Sequence, residues 1–334
     1  MAAGGLTMRE LSIGKLRGLQ RVSTTNGYFV ILALDHHDAL RRALNPVAPE
    51  AVTNAEMVAF KTQVVRALAP EASGVLLDPI YGAAQALVED CLGRTGLLLE
   101  LEKADYALQS LPLLSEILPT WSVSKIKRMG ADGVKLFYYY NSADAQRAPQ
   151  QDALLHRVAV ECAAVDLPLY AEPILYPLEG EPGELHQARF SERVITAAQR
   201  VEGLGADILK LEFPLHPNHW GDANAARAAC AALTGATTVP WVLLSAGVDF
   251  EVFCDQLALA CTSGASGVIG GRAIWGEAAQ IRDVSARETW LQTTGRDRMR
   301  RLAALAQTGA PWTERLKPAP VSTAWYQQYG ELCP

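Results

Sequence analysis

Eight short apolar runs recur along the chain, separated by helix-compatible sequence, and most carry or end beside a charged or hydroxyl residue. They cover residues 29–35, 74–79, 97–101, 133–139, 167–173, 206–214, 240–247 and 267–272. A continuous apolar run, as opposed to an alternating one, is the pattern of a strand covered on both faces in a parallel sheet. Eight such strands with helical sequence between them and no break in composition predict a single (β/α)8 barrel, with a core over about 29–285. Helical extensions are expected at both ends, around Arg9 to Leu19 and from Ala286 to about Gln307, so residues 1–334 form one domain. An open doubly wound sheet is the competing architecture. It would want a GxGxxG at the first strand-to-helix turn, which is missing, whereas polar residues at the ends of many different strands suit a barrel.

Composition narrows the function classes. With 49% hydrophobic and 20% charged residues the chain is of the soluble globular kind, and a net charge of −6 argues against a broad nucleic-acid surface. No signal peptide or membrane span is visible, since Gly4, Gly5, Arg9 and Glu10 precede any apolar run. The six cysteines, at 91, 162, 230, 254, 261 and 333, form no CxxC pair, which suits reduced thiols, a cytoplasmic location and no structural zinc.

The chemistry concentrates at strand ends. In Asp207-Ile208-Leu209-Lys210-Leu211-Glu212, residues two apart share a strand face, so Lys210 and Glu212 lie on one side and Leu209, Leu211 and Phe213 on the other. A buried lysine must be paired or perturbed. Lys135, in Gly133-Val134-Lys135-Leu136, is a second lysine of this kind, and two neighbouring ammonium groups would lower one pKa, yielding a neutral amine able to form a Schiff base. The competing reading is a static network in which Glu172 and Glu212 pair with the two lysines. The converging polar set is Asp35, Asp78, Glu100, Lys135, Glu172, Lys210, Glu212, Ser245 and Arg272.

Two further stretches suit an anion. Gly270-Gly271-Arg272 closes a strand and opens a helix, and Ser245-Ala246-Gly247 ends the strand before it; barrels often hold phosphate after strands seven and eight. His36 and His37 follow Asp35 in a loop at the same end, where substrate contact is expected; neighbours on the chain do not easily share a metal, and no metal is expected. His216 and His219 read as loop residues, and Tyr138 to Tyr140 as core and rim aromatics.

Taken in order, Asp-Ile-Leu-Lys210-Leu-Glu-Phe-Pro, Gly-Val-Lys135-Leu, Ala-Glu172-Pro, Leu-Leu-Ser245-Ala-Gly-Val and Gly-Gly-Arg272-Ala-Ile-Trp resemble the class I tagatose-1,6-bisphosphate aldolase family, which includes sulfofructose-phosphate aldolases. The likeness runs from about residue 29 to 295. It implies a cofactor-free and metal-independent aldolase in which Lys210 forms the Schiff base, Lys135 is its cationic neighbour and Glu172 the acid/base. Asp35 would stand near the C3–C4 bond, and Ser245, Gly247, Gly271 and Arg272 would hold the phosphate of the dihydroxyacetone end. A small-molecule sugar phosphate as substrate and a homo-oligomer follow from the same likeness. The family usually has Asp-Gln-Arg where this chain has Asp35-His36-His37, so the distal group of the sugar stays open. If His37 replaces that arginine as the distal contact, affinity should weaken as pH rises from about 6 to 8; Arg41 or Arg42 is the alternative contact. Cleavage of tagatose 1,6-bisphosphate is the leading expectation, beside cleavage of 6-deoxy-6-sulfofructose 1-phosphate or another singly phosphorylated ketose, and beside a non-catalytic sugar-phosphate-binding barrel.

Overall fold

The computed structural model describes residues 8–103, 114–327 and 329. Eight parallel strands close into a barrel in chain order: β1 (Phe29–Leu34), β2 (Gly74–Leu77), β3 (Gly96–Glu100), β4 (Gly133–Tyr140), β5 (Leu169–Leu175), β6 (Ile208–Leu211), β7 (Trp241–Leu244) and β8 (Gly267–Gly270). β1 pairs with both β2 and β8, so the sheet has no free edge. Apart from Ile174, every residue of the eight strands is buried, which is why their sequences are continuous apolar runs.

The outer helices carry the expected signals. Helix Asn54–Leu68 opens on a capping box, in which Thr53 accepts from the Glu56 backbone N–H and Glu56 reaches back to that of Thr53, a device worth about 1 kcal/mol. Its buried stripe includes Met57, Phe60, Lys61, Val64, Val65 and Leu68, spaced three and four apart. Lys61 on that stripe is fully buried and bonds Asp78, just beyond β2.

At the N-terminus the expected helix starts later, at Ile13, and ends at Val22. Arg9–Leu11 instead pairs as a parallel strand with Leu316–Pro318, joining the chain's two ends through a contact that local periodicity cannot reveal. Lys15 of this helix reaches Asp207 at 2.8 Å, and the same carboxylate oxygen accepts the backbone N–H of Leu169 at 2.9 Å, which ties the helix to the amino end of the barrel. The C-terminal extension is helical, over Val284–Trp290, a π-helical turn at Leu291–Gly295, and Arg296–Ala306. Cys91, Cys162, Cys230, Cys254 and Cys261 are buried free thiols, and Cys333 lies outside the described residues. Among the described residues no helix is long and apolar enough to cross a membrane.

Candidate active site

Lys210, the third residue of β6, places its Nζ 2.8 Å from Oε1 of Glu172 on β5. The other oxygen of Glu172 lies 3.1 Å from Nζ of Lys135 on β4, so a single carboxylate stands between two lysine nitrogens. Lys135 is also 2.8 Å from Asp35 Oδ2 and 2.5 Å from Glu102 Oε1, and its side chain is fully buried. A charge in that position is tolerable only because three carboxylates surround it. Burial alone would raise the Asp35 carboxyl, but Lys135 and Lys210 outweigh it and hold Asp35 well below the usual range, ionised at any working pH.

Glu102, outside the converging polar set expected from the strands, is buried against Lys135. It sits just past β3, two positions after Glu100 and hence on the same face, the spacing that placed Lys210 beside Glu212. Burial raises the Glu102 carboxyl against the pull of Lys135. Glu100 is raised well above the ordinary value by burial and then by Glu102 and Asp35.

These groups line or lie just under a cavity of about 490 Å³ at the carboxyl end of the barrel. Asp35, His36, Glu172, Lys210, Ser245, Gly271 and Arg272 form its wall together with Phe137, Tyr139, Ile174 and Glu212. Ser245-Ala246-Gly247-Val248 is a tight turn closed by the Val248 N–H on the Ser245 carbonyl at 3.0 Å, with both central residues in the left-handed region, φ 47° and 78°. A Cβ on Gly247 would stand 2.8 Å from the Arg272 guanidinium carbon, so a glycine there lets the arginine fold over the turn. Arg272 opens helix Arg272–Gln280, whose N-terminus adds a favourable dipole for an anion. The residues expected to hold a phosphate are thus brought together.

His36 and His37 part company. His36 faces the cavity and stacks edge-on against Trp275, with ring centroids 5.1 Å apart; burial lowers it to about 3 despite Asp35, which leaves it neutral. His37 turns away from the cavity wall, its Nε2 lying 2.8 Å from Glu100 Oε1 and 3.6 Å from Asp78 Oδ1. Burial lowers His37 to about 4 against the opposing pull of Asp78. This corrects two expectations: His37 is not placed to meet the distal anion, and it has no titration between pH 6 and 8 to impose on affinity. Arg41 also turns away, to the Val52 carbonyl, Asn54 and Tyr81. Arg42 lines the cavity, is exposed and has no ion-pair partner among the described residues.

His37, Asp78 and Glu100 gather their ligand atoms within 4.8 Å, as do Asp35, Glu100 and Glu102, because the fold draws them from three strand ends far apart in sequence. In each set an ammonium already sits on the acids, Lys61 on Asp78 and Lys135 on Asp35 and Glu102.

Fold and site together define a (β/α)8 barrel with two buried lysines and clustered carboxylates at the carboxyl end of its strands. The model of the DeoC/LacD family aldolases matches residues 29–277, and the chain belongs to this family. It is 34% identical to a tagatose 1,6-diphosphate aldolase of Lactococcus lactis subsp. lactis over 325 residues, covering 90% of this chain and 98% of that one. With one from Streptococcus pneumoniae the identity is 35%, covering 89% and 97%. The fold resembles that of an archaeal fructose 1,6-bisphosphate aldolase, at a TM-score of 0.59 and 22% identity, with 88% of this chain and 99% of that chain covered. A non-catalytic barrel therefore gives way to an aldolase, a carbon–carbon lyase.

Proposed function

We propose that the protein cleaves tagatose 1,6-bisphosphate to dihydroxyacetone phosphate and glyceraldehyde 3-phosphate through a Schiff base on Lys210. The observation that carries this is the pair of lysine nitrogens on the two oxygens of Glu172, of which Lys210 lines the cavity that Ser245 and Arg272 also line while Lys135 lies buried behind Glu172. Lys210, as the free amine, attacks the C2 ketone; its lost proton has Glu172 2.8 Å away. Glu172 returns a proton to the carbinolamine hydroxyl, which leaves as water, and the resulting iminium is the electron sink. When the C4 hydroxyl gives up its proton, the C3–C4 bond breaks, its electron pair forms the enamine, and the aldehyde departs. Protonation at C3 and hydrolysis then release dihydroxyacetone phosphate and restore Lys210. Lys135 holds Glu172 and Asp35 in place and keeps Asp35 ionised. Ser245, Gly247, Gly271 and Arg272 hold the C1 phosphate.

Arg42 takes the distal role that the family's arginine fills. One exposed guanidinium is a weaker anchor than a buried pair, and this favours a second reading in which a 6-sulfonated or singly phosphorylated ketose is also accepted. Arg42→Ala is expected to raise KM for the bisphosphate about tenfold while leaving KM for a ketose 1-phosphate unchanged. A panel of ketose bisphosphates and 1-phosphates, assayed by triose phosphate release, tests the substrate. Highest kcat/KM on tagatose 1,6-bisphosphate supports the proposal, and no triose phosphate from any bisphosphate overturns it. The buried free thiols suit a cytoplasmic location, and a homo-oligomer is proposed, to be read by sedimentation.

A further inference from the structure

Glu212 is the cavity carboxyl that the mechanism leaves unused. It follows β6 directly, two positions beyond Lys210 on the same strand face, and contributes to the cavity wall with Ile174 and Ser245. Oε2 accepts the Leu175 backbone N–H at 3.1 Å, its one hydrogen bond among the described residues. Unlike Asp35 and Glu172 it has no cation within ion-pair distance among the described residues, Lys210 and Lys135 both being turned to Glu172. We infer that Glu212 contacts the bound sugar phosphate as a carboxylic acid, donating a hydrogen bond to it, and that it takes up a proton as the ligand arrives. The inference rests on the aldolase reading and adds a residue to its binding site.

The surroundings give the direction. Glu172 on β5 is the charged group that acts on Glu212; Lys210 on its own strand, Ser245 after β7, and Asp35, His36, Asp38, Arg42 and Arg272 from the ends of β1 and β8 and the helices that follow them line the same cavity. Burial pushes Glu212 up to about 7, with Glu172 adding to the rise and the Leu175 N–H opposing it. At neutral pH the free protein therefore holds a mixture of acid and carboxylate at this position. A phosphate-bearing ligand disfavours the carboxylate further, so its arrival raises the carboxyl again and draws a proton from solvent. Because the raised group is bound best when protonated, affinity is full below about pH 6 and falls as pH rises through about 7.

Glutamine keeps both the acceptor for Leu175 and a donor for the ligand but cannot titrate, whereas alanine keeps neither. Calorimetry of dihydroxyacetone phosphate binding, run in buffers of small and large ionisation enthalpy, reads the protons taken up. Relative to wild type near pH 7, Glu212→Gln should take up on the order of half a proton fewer and lose the fall in affinity between about pH 6 and 8. Glu212→Ala should bind about fivefold to tenfold more weakly at about pH 6, where Glu212→Gln remains close to wild type. Equal proton uptake in wild type and Glu212→Gln, or unchanged affinity in Glu212→Ala, overturns the inference. Failure of wild type to cleave any ketose bisphosphate would instead fault the aldolase reading.

Discussion

Lys210→Met is expected to abolish cleavage, with kcat/KM falling on the order of 10⁴-fold or more, since loss of an essential nucleophile is not made up by the remaining groups. The variant should fold normally. Its side chain is 5% exposed, but the acid it leaves, Glu172, still has Lys135 at 3.1 Å, so no buried carboxylate loses every cation. Steady-state cleavage together with a thermal melt separates the two effects. Residual activity within about tenfold of wild type would take the nucleophile's role from Lys210.

Lys135→Met should fail differently. It strips Asp35, Glu102 and Glu172 of their shared ammonium, and breaking a buried pair from one side costs about 3–5 kcal/mol against a total of roughly 5–15 for a typical domain. The pH dependence should also reverse. In the wild type the Asp35 carboxyl is depressed, so its contribution is present above the unfolded pKa and lost only as pH falls through the lower folded value. Without Lys135 the buried carboxyls are raised, so the variant is most stable in acid and loses stability as pH rises through about 5 to 7. Urea unfolding at several pH values checks both points, and a loss under about 1 kcal/mol with no such slope would show that Lys135 is not the keystone of this network.

Much of this was legible in the sequence because strands impose a two-residue period. Lys210 and Glu212 share a cavity face, Leu209 and Leu211 are buried on the other, and Ser245, Gly271 and Arg272 after the last two strands line one cavity as their positions suggest. Less was legible where direction depends on tertiary partners. His36 and His37 are neighbours in a loop, where no period assigns a side, and the buried acids Glu100 and Asp78 draw His37 inward while Arg42, farther along, meets the cavity. Glu102 was open to the same reasoning as Glu212, yet it falls past the apolar run that marks β3, where the pattern gives out. The two carboxylate-rich clusters combine residues from different strand ends, so spacing along the chain could not expose them.

The proposed cleavage turns on a covalent bond between Lys210 and the ketone carbon. Incubation with tagatose 1,6-bisphosphate or dihydroxyacetone phosphate, reduction with borohydride and peptide mass mapping read that bond directly. The expected result is one stable adduct, of the reduced triose phosphate, on the peptide containing Lys210, present in wild type and missing from Lys210→Met. An adduct on Lys135, or cleavage without any trapped adduct and with activity lost to chelators, would contradict the account.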